Sequence, residues 1–467
     1  MRSASRIRRL PALLVAGLLV AGATACSRSD SDASGSEEDT SSTTAGSSGG
    51  EGRIAKGEFG DLGVVCKDGD GGPATETGIT ADSINVGTIT NKGADVRPGL
   101  NQEMYDSAKA FVDWCNDNGG INGRKLTLKD LDAKLNEYPQ RVAEACQDTF
   151  ALVGGGAIFD NDTGNIRVGC GLINIPGFVV APTARVAEKQ VQPLPNPVYR
   201  FSVQAYNRYK ELHPDVSKYA ILWVDLEGVK TVHEQVKETV EKAGYDVVYE
   251  PTYKAIGETG WRGFIQTMKQ KGVQAVELVG EPENMTALLS AMNTEGWYPE
   301  VIFMQPNMYE KKFEDEAKGV ADDTDIFVRL SFPMFDMDGD NAPGMGDYLE
   351  LMETYNKDGK YPALLGAQSL SAWLLFAKAA TECGADLTRA CVIEKAKAVT
   401  DWTAGGLHAP TQPGNTQAAE CGILVRFNKD GFKYVEEATD PNDGVFNCSP
   451  DNAVKLTNDY GVKEPTD

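Results

Sequence analysis

From residue 84 the chain alternates short apolar runs with stretches of helical periodicity. Residues 84–89 read as a β-branched strand, after which Met104, Ala108, Phe111, Val112 and Cys115 recur at the spacing of one helix face. Residues 126–131 predict a second strand. Pro139, tolerated in a first turn, opens a helix that turns Val142, Ala143, Cys146 and Phe150 inward. Residues 151–153 read as a strand ending in Gly154-Gly155-Gly156, and residues 178–180 as another ending in Ala181-Pro182-Thr183.

After about residue 204 the pattern restarts. Strands are expected at 219–224, 247–249, 275–279, 301–304 and 326–328, with intervening helices marked by Val229, Val232, Val236 and Val240, by Trp261, Phe264, Ile265 and Met268, and by Leu288, Leu289 and Met292. Strands alternating with helices of this length mean βαβ units and mostly parallel sheets, so the fold class is α/β. Two such runs predict two similar lobes. The remainder carries a strong helix through Leu370, Trp373, Leu374, Phe376 and Ala377, and then a strand at 422–427.

The first sixty residues are of another kind. Residues 1–25 join a basic start (Arg2, Arg6, Arg8, Arg9) to an apolar run at 13–21, the form of an export signal and too short for a spanning helix. Ala23-Thr24-Ala25-Cys26 resembles a bacterial lipobox, which makes Cys26 the expected lipidated N-terminus. The Ser, Gly, Thr and acidic residues that follow cannot bury enough apolar surface to order themselves, so residues 26–60 are read as a lipidated Cys plus flexible tether.

Composition narrows the function classes. The formal charge of −23 becomes −27 once the four Arg of residues 1–25 are removed, which argues against a duplex nucleic-acid binder. Three His leave little for imidazole-rich metal chemistry, and each reads as a surface residue. No G-x-S-x-G, H-E-x-x-H or G-x-x-x-x-G-K-[ST] appears. Asp336, Asp338 and Asp340 resemble the start of a calcium loop, but Gly339 falls at the fourth position and no Glu closes the loop. No catalytic residue, cofactor or metal is expected.

Eight Cys remain after Cys26, and in an exported chain they permit four disulfides in 105 arrangements. Cys383 and Cys391 flank a short polar loop and are expected to pair locally. Cys421 and Cys448 bracket a hairpin-like segment. Cys146 and Cys170 flank a strand, and elimination leaves Cys66 with Cys115.

A specific resemblance now enters. The stretch Asn118-Gly119-Gly120-Ile121-Asn122-Gly123-Arg124-Lys125-Leu126, after a first helix and before a second strand, resembles the branched-chain amino-acid-binding family of ABC-importer solute-binding lipoproteins. The resemblance implies a type I periplasmic-binding-protein fold, with two doubly wound parallel-sheet lobes joined by a hinge. Residues 61–203 and 333–413 would form lobe 1, and 204–332 and 414–467 lobe 2. It also implies a monomer tied to the membrane through its lipid anchor only, which captures a small polar solute and hands it unchanged to an ABC permease with cytoplasmic ATPases. The alternative is a ligand-sensing receptor lipoprotein on the same scaffold.

In doubly wound sheets ligands sit outside the strands' carboxyl ends. That places candidates at 155–161 and 181–185 in the first lobe, and at 225–227, 280–283 and 305–309 in the second. The resemblance implies a carboxylate held by first-lobe N–H groups and a hydroxyl (Ala181, Thr183), and an ammonium held by second-lobe acids (Asp225, Glu227, Glu281, Glu283). Phe159 and Tyr309 would wall the pocket. Departures are evident: Phe159-Asp160 stands where amino-acid binders offer small hydroxyl residues, and Gln305-Pro306-Asn307 where they often show an acid. An amide, a polyol or an aromatic acid fits as readily.

Overall fold

The alternating runs fold as alternating strands and helices in the computed structural model, which describes residues 52–463 apart from 162, 322–323, 338, 340–341 and 416. The export segment, Cys26 and the tether to residue 51 lie outside the described residues, as do Asp338 and Asp340. No helix among the described residues is long and apolar enough to cross a membrane.

The first lobe is built in the order β1 (Ser83–Thr90), α1 (Gln102–Asp117), β2 (Lys125–Asp132), α2 (Tyr138–Asp148), β3 (Ala151–Val153), α3 (Thr163–Gly169), β4 (Ile173–Ile175) and α4 (Pro182–Arg185). Its four strands pair in parallel in the order β2-β1-β3-β4. The strand expected at 178–180 is not formed. The pairing strand is Ile173–Ile175, ended by Pro176-Gly177, and 178–180 is extended chain beyond the sheet.

β5 (Arg200–Ser202) and α5 (Gln204–Leu212) lead into the second lobe: β6 (Lys218–Val224), α6 (Glu227–Lys242), β7 (Asp246–Tyr249), β8 (Thr252–Tyr253), α7 (Trp261–Lys271), β9 (Ala275–Val279), α8 (Pro282–Glu295), β10 (Val301–Met304), α9 (Lys311–Ala317) and β11 (Asp325–Leu330). The chain then returns to pack α10 (Pro343–Tyr355) and α11 (Leu364–Cys383) against α1, with α12 (Arg389–Lys397) against α11. It goes back once more as β12 (Cys421–Asn428), β13 (Gly431–Tyr434), α13 (Glu436–Thr439), β14 (Asn447–Cys448) and β15 (Ala453–Lys455). The second sheet runs β13-β12-β11-β10-β9-β6-β7; β12 joins antiparallel to β11, and β15 pairs with β5 in a separate ribbon.

Helix α11 is apolar nearly all round, as a helix buried on every side must be. Its Trp373 ring lies 5.3 Å from Phe111 of α1, so this helix forms the centre of the first lobe's core. The glycine-rich stretch after α1 has a physical reason. Gly120 takes φ 85° and donates its N–H to the Cys115 carbonyl, and a Cβ there would lie 2.2 Å from the Arg124 carbonyl oxygen. Arg124 itself is buried and donates to the carbonyls of Thr80 and Ala385. Disulfides join Cys66 to Cys115, Cys146 to Cys170, Cys383 to Cys391 and Cys421 to Cys448.

Candidate functional site

The chain passes between the sheets three times: between α4 and α5, between β11 and α10, and between α12 and β12. All three crossings wall a cavity of about 370 Å³, within the range of small-molecule sites. The first lobe contributes Phe178, Val179, Val180 and Arg185, the second Tyr206, Phe303, Gln305, Phe327 and Arg329, and the crossings Arg200, Ser202, Ser331 and Ala419.

The strands explain how these groups meet. Residues two apart share one sheet face, so Phe327 and Arg329 of β11 point the same way, as do Arg200 and Ser202 of β5. Arg329 donates to Gln204, Ser331 and the carbonyls of Ala419 and Cys421, all neutral partners, and burial lowers its pKa to about 10. Arg185 donates to the Val180 carbonyl and to Gln235 of α6; burial takes it to about 10 as well, against the opposing charge of Asp160. Behind the wall lies Glu277 of β9, with Tyr219 donating at 2.7 Å, Tyr206 at 3.1 Å and Gln305 also donating; burial raises its carboxyl to about 7.

Beside the cavity the lobes are bridged by charge. Arg97, in the loop after β1, pairs with Glu281 at 2.7 Å and Glu283 at 2.9 Å, both at the start of α8. Lys360 joins Glu103 of α1 at 3.0 Å to Glu310 before α9 at 2.8 Å. The lobes also touch where a Cβ on Gly228 of α6 would lie 2.8 Å from the Ile158 carbonyl oxygen and from the Phe159 ring.

Of the residues singled out from the sequence, Gln305 and Pro306 line the cavity, as does Arg185 of the 181–185 stretch. Phe159 lies at the contact with α6, while Glu281 and Glu283 are engaged by Arg97. Asp160 is buried and accepts the N–H groups of Val180 and Ala181, each at 2.8 Å; burial raises its carboxyl to about 6. It therefore holds the 178–181 segment that walls the cavity. Thr183 donates to the Asn161 carbonyl, and Asn307 to the Gly280 carbonyl. Asp225 and Glu227 are exposed. Tyr309 is buried between Phe335 and Phe432 and accepts the Phe335 N–H.

The histidines need correction. His213 is exposed, but His233 stacks on Trp223 and His408 is buried. Ala409's carbonyl can only accept, so His408 Nδ1 carries the proton and Nε2 accepts from Ser371, which in turn accepts from Trp402. Burial lowers this imidazole to about 4. Among the cavity arginines, Arg185 closes the 181–185 stretch marked by the strand-end rule, while Arg200 and Arg329 lie outside every stretch so marked; Arg329, a charge inside the apolar run of β11, is the one local signal for that pair.

A family model described as periplasmic binding protein matches residues 83–432. The chain belongs to that family. Among curated proteins, none matches the sequence. Solved structures share the type I periplasmic-binding fold. A fatty acid ABC transporter substrate-binding protein from Thermomonospora curvata is 15% identical with a TM-score of 0.64, the match covering 79% of this chain and 95% of that one. The branched-chain amino acid substrate-binding protein LivJ from Streptococcus pneumoniae, in complex with isoleucine, is 15% identical with a TM-score of 0.61, covering 76% and 99%. A solute-binding protein from R. palustris in complex with benzoate is 12% identical with a TM-score of 0.60, covering 76% and 95%.

Proposed function

We propose that the chain is the extracytoplasmic solute-binding lipoprotein of an ABC importer, capturing a small solute between its lobes and delivering it unchanged to a permease with cytoplasmic ATPases. The observation that carries this reading is the cavity walled by both lobes and by all three crossings, because occupancy of such a space is coupled to the angle between the lobes. Ligand that touches both walls has differential affinity for the closed form, which is the condition for driving closure. In this reading residues 61–203 and 333–413 form one jaw and 204–332 and 414–467 the other. Asp160 holds one wall, and Gln305 faces the solute from the other. Cys26 carries the lipid, the tether runs to residue 51, short of the 26–60 expected from composition because Ile54 and Phe59 are buried in the first lobe, and the protein acts as a monomer.

The related structures agree in class: they are described as binding a fatty acid, isoleucine and benzoate, and none is described as an enzyme. The test is uptake by cells lacking the gene, with each of these solute classes supplied as labelled compound. Loss of uptake of one class, restored by wild-type protein and not by Cys26→Ser, supports the reading. Unchanged uptake together with a lost transcriptional response to that solute would move the protein to the sensing alternative.

A further inference from the structure

The cavity between the lobes carries a chemical signature of its own. Three arginines line it (Arg185, Arg200 and Arg329), and no Asp or Glu does among the described residues. Arg185 lies in the field of Asp160, whereas Arg200 and Arg329 donate to neutral partners, the first to Gln417 and the second to Gln204, Ser331 and the carbonyls of Ala419 and Cys421. A guanidinium held away from water without a counter-ion is costly, and an anion entering beside it recovers that cost. Two buried donors on the same wall have no partner, Arg200 Nε and Ser202 Oγ, which point to one side of β5. The rest of the lining combines the rings of Phe178, Phe303 and Phe327 with the neutral polar side chains of Asn196, Tyr206, Gln305, Ser331 and Gln368. The acids that an ammonium would seek, Glu281 and Glu283, stand outside this lining and are both paired with Arg97.

We propose that this cavity binds a small monocarboxylate with an apolar body and no ammonium group, its carboxylate on Arg329, Arg200 and Ser202 and its body among the rings of Phe178, Phe303 and Phe327. The inference rests on the solute-binding reading and adds the ligand class to it. A zwitterionic amino acid is disfavoured because its ammonium would enter a space lined by three guanidiniums and no carboxylate.

The test is calorimetric titration of the full mature protein with hexanoate and phenylacetate, each beside its neutral amide, hexanamide and phenylacetamide, and beside leucine. At least one acid is expected to bind ten-fold or more tightly than its amide and than leucine. Arg329→Gln should remove ten-fold or more of that preference, and Arg200→Gln several-fold. The Arg200→Gln variant keeps the test valid if Arg329→Gln fails to fold. Equal binding of acid and amide, tighter binding of leucine, or failure of both acids overturns the ligand class. Those outcomes leave the transport reading to the uptake assay, which fails independently.

Discussion

Arg97 ties the two lobes through two carboxylates, and its removal should shift the balance between closed and open forms. Its guanidinium reaches Glu281 at 2.7 Å and Glu283 at 2.9 Å across the cleft. The Arg97 and Glu281 side chains are 17% and 27% exposed, so their bond is partly shielded; Glu283, at 43%, is discounted for solvent screening. A charge-assisted bond of this burial contributes about 1.5 kcal/mol and the screened one about 0.5 kcal/mol, together about 2 kcal/mol or a factor of roughly 30 in the closing equilibrium. Arg97→Gln should therefore expand the ligand-free protein and weaken solute binding by up to that factor, without lowering the melting temperature of either lobe's core. Small-angle scattering reads the expansion directly. Raising salt from 0.1 to 1 M shortens the screening length from about 10 to about 3 Å, so wild-type protein should open part of the way under salt while the variant changes less. Identical scattering profiles for the two proteins at both salt concentrations would refute the latch.

Other consequences can be measured independently. Glu277 titrates at about 7 in the fold against an ordinary 4.5, so the folded state holds its proton more tightly; stability from this group falls as pH rises from 4.5 through 7, by roughly 3 kcal/mol, and Glu277→Gln should remove that fall in denaturant titrations. His408 has the opposite sign, being lowered from 6.5 to about 4, so stability is lost as pH falls through that window, and a His408→Gln melting profile should lack that loss. The Cys66–Cys115 bridge closes 49 residues and Cys383–Cys391 only 8; by loop entropy, replacing the first pair with serine costs about 4 kcal/mol and the second about 2.5 kcal/mol, and a reversed order in urea denaturation would contradict that account.

The sheets were legible because burial on both faces leaves near-continuous apolar runs, so residues 151–153, 275–279 and 301–304 read as strands at the bounds they occupy. The strand at 173–175 was missed because Asn174 interrupts its apolar run; the amide is accommodated by bonding Gln190, while 178–180 offered the stronger β-branched and aromatic signal. His233 and His408 looked like surface residues because their shelter comes from Trp223 and from Ser371 and Trp402, partners distant in the chain. The cavity was hidden for the same reason. Arg185 and Arg329 are 329 − 185 = 144 residues apart, and only the repeated passage between sheets brings them to one cavity. Local spacing pointed to the loops at the strand ends, where Asp160 and Thr183 instead tie the first-lobe loops to one another.

The most direct measurement is a crystal structure of the protein grown with hexanoate or phenylacetate. The account predicts density in the cavity between the sheets, with a carboxylate within hydrogen-bond distance of Arg329 and Arg200 and its apolar end among Phe178, Phe303 and Phe327. Ligand bound on one lobe alone, or on the outer surface with the cavity unfilled, would contradict it.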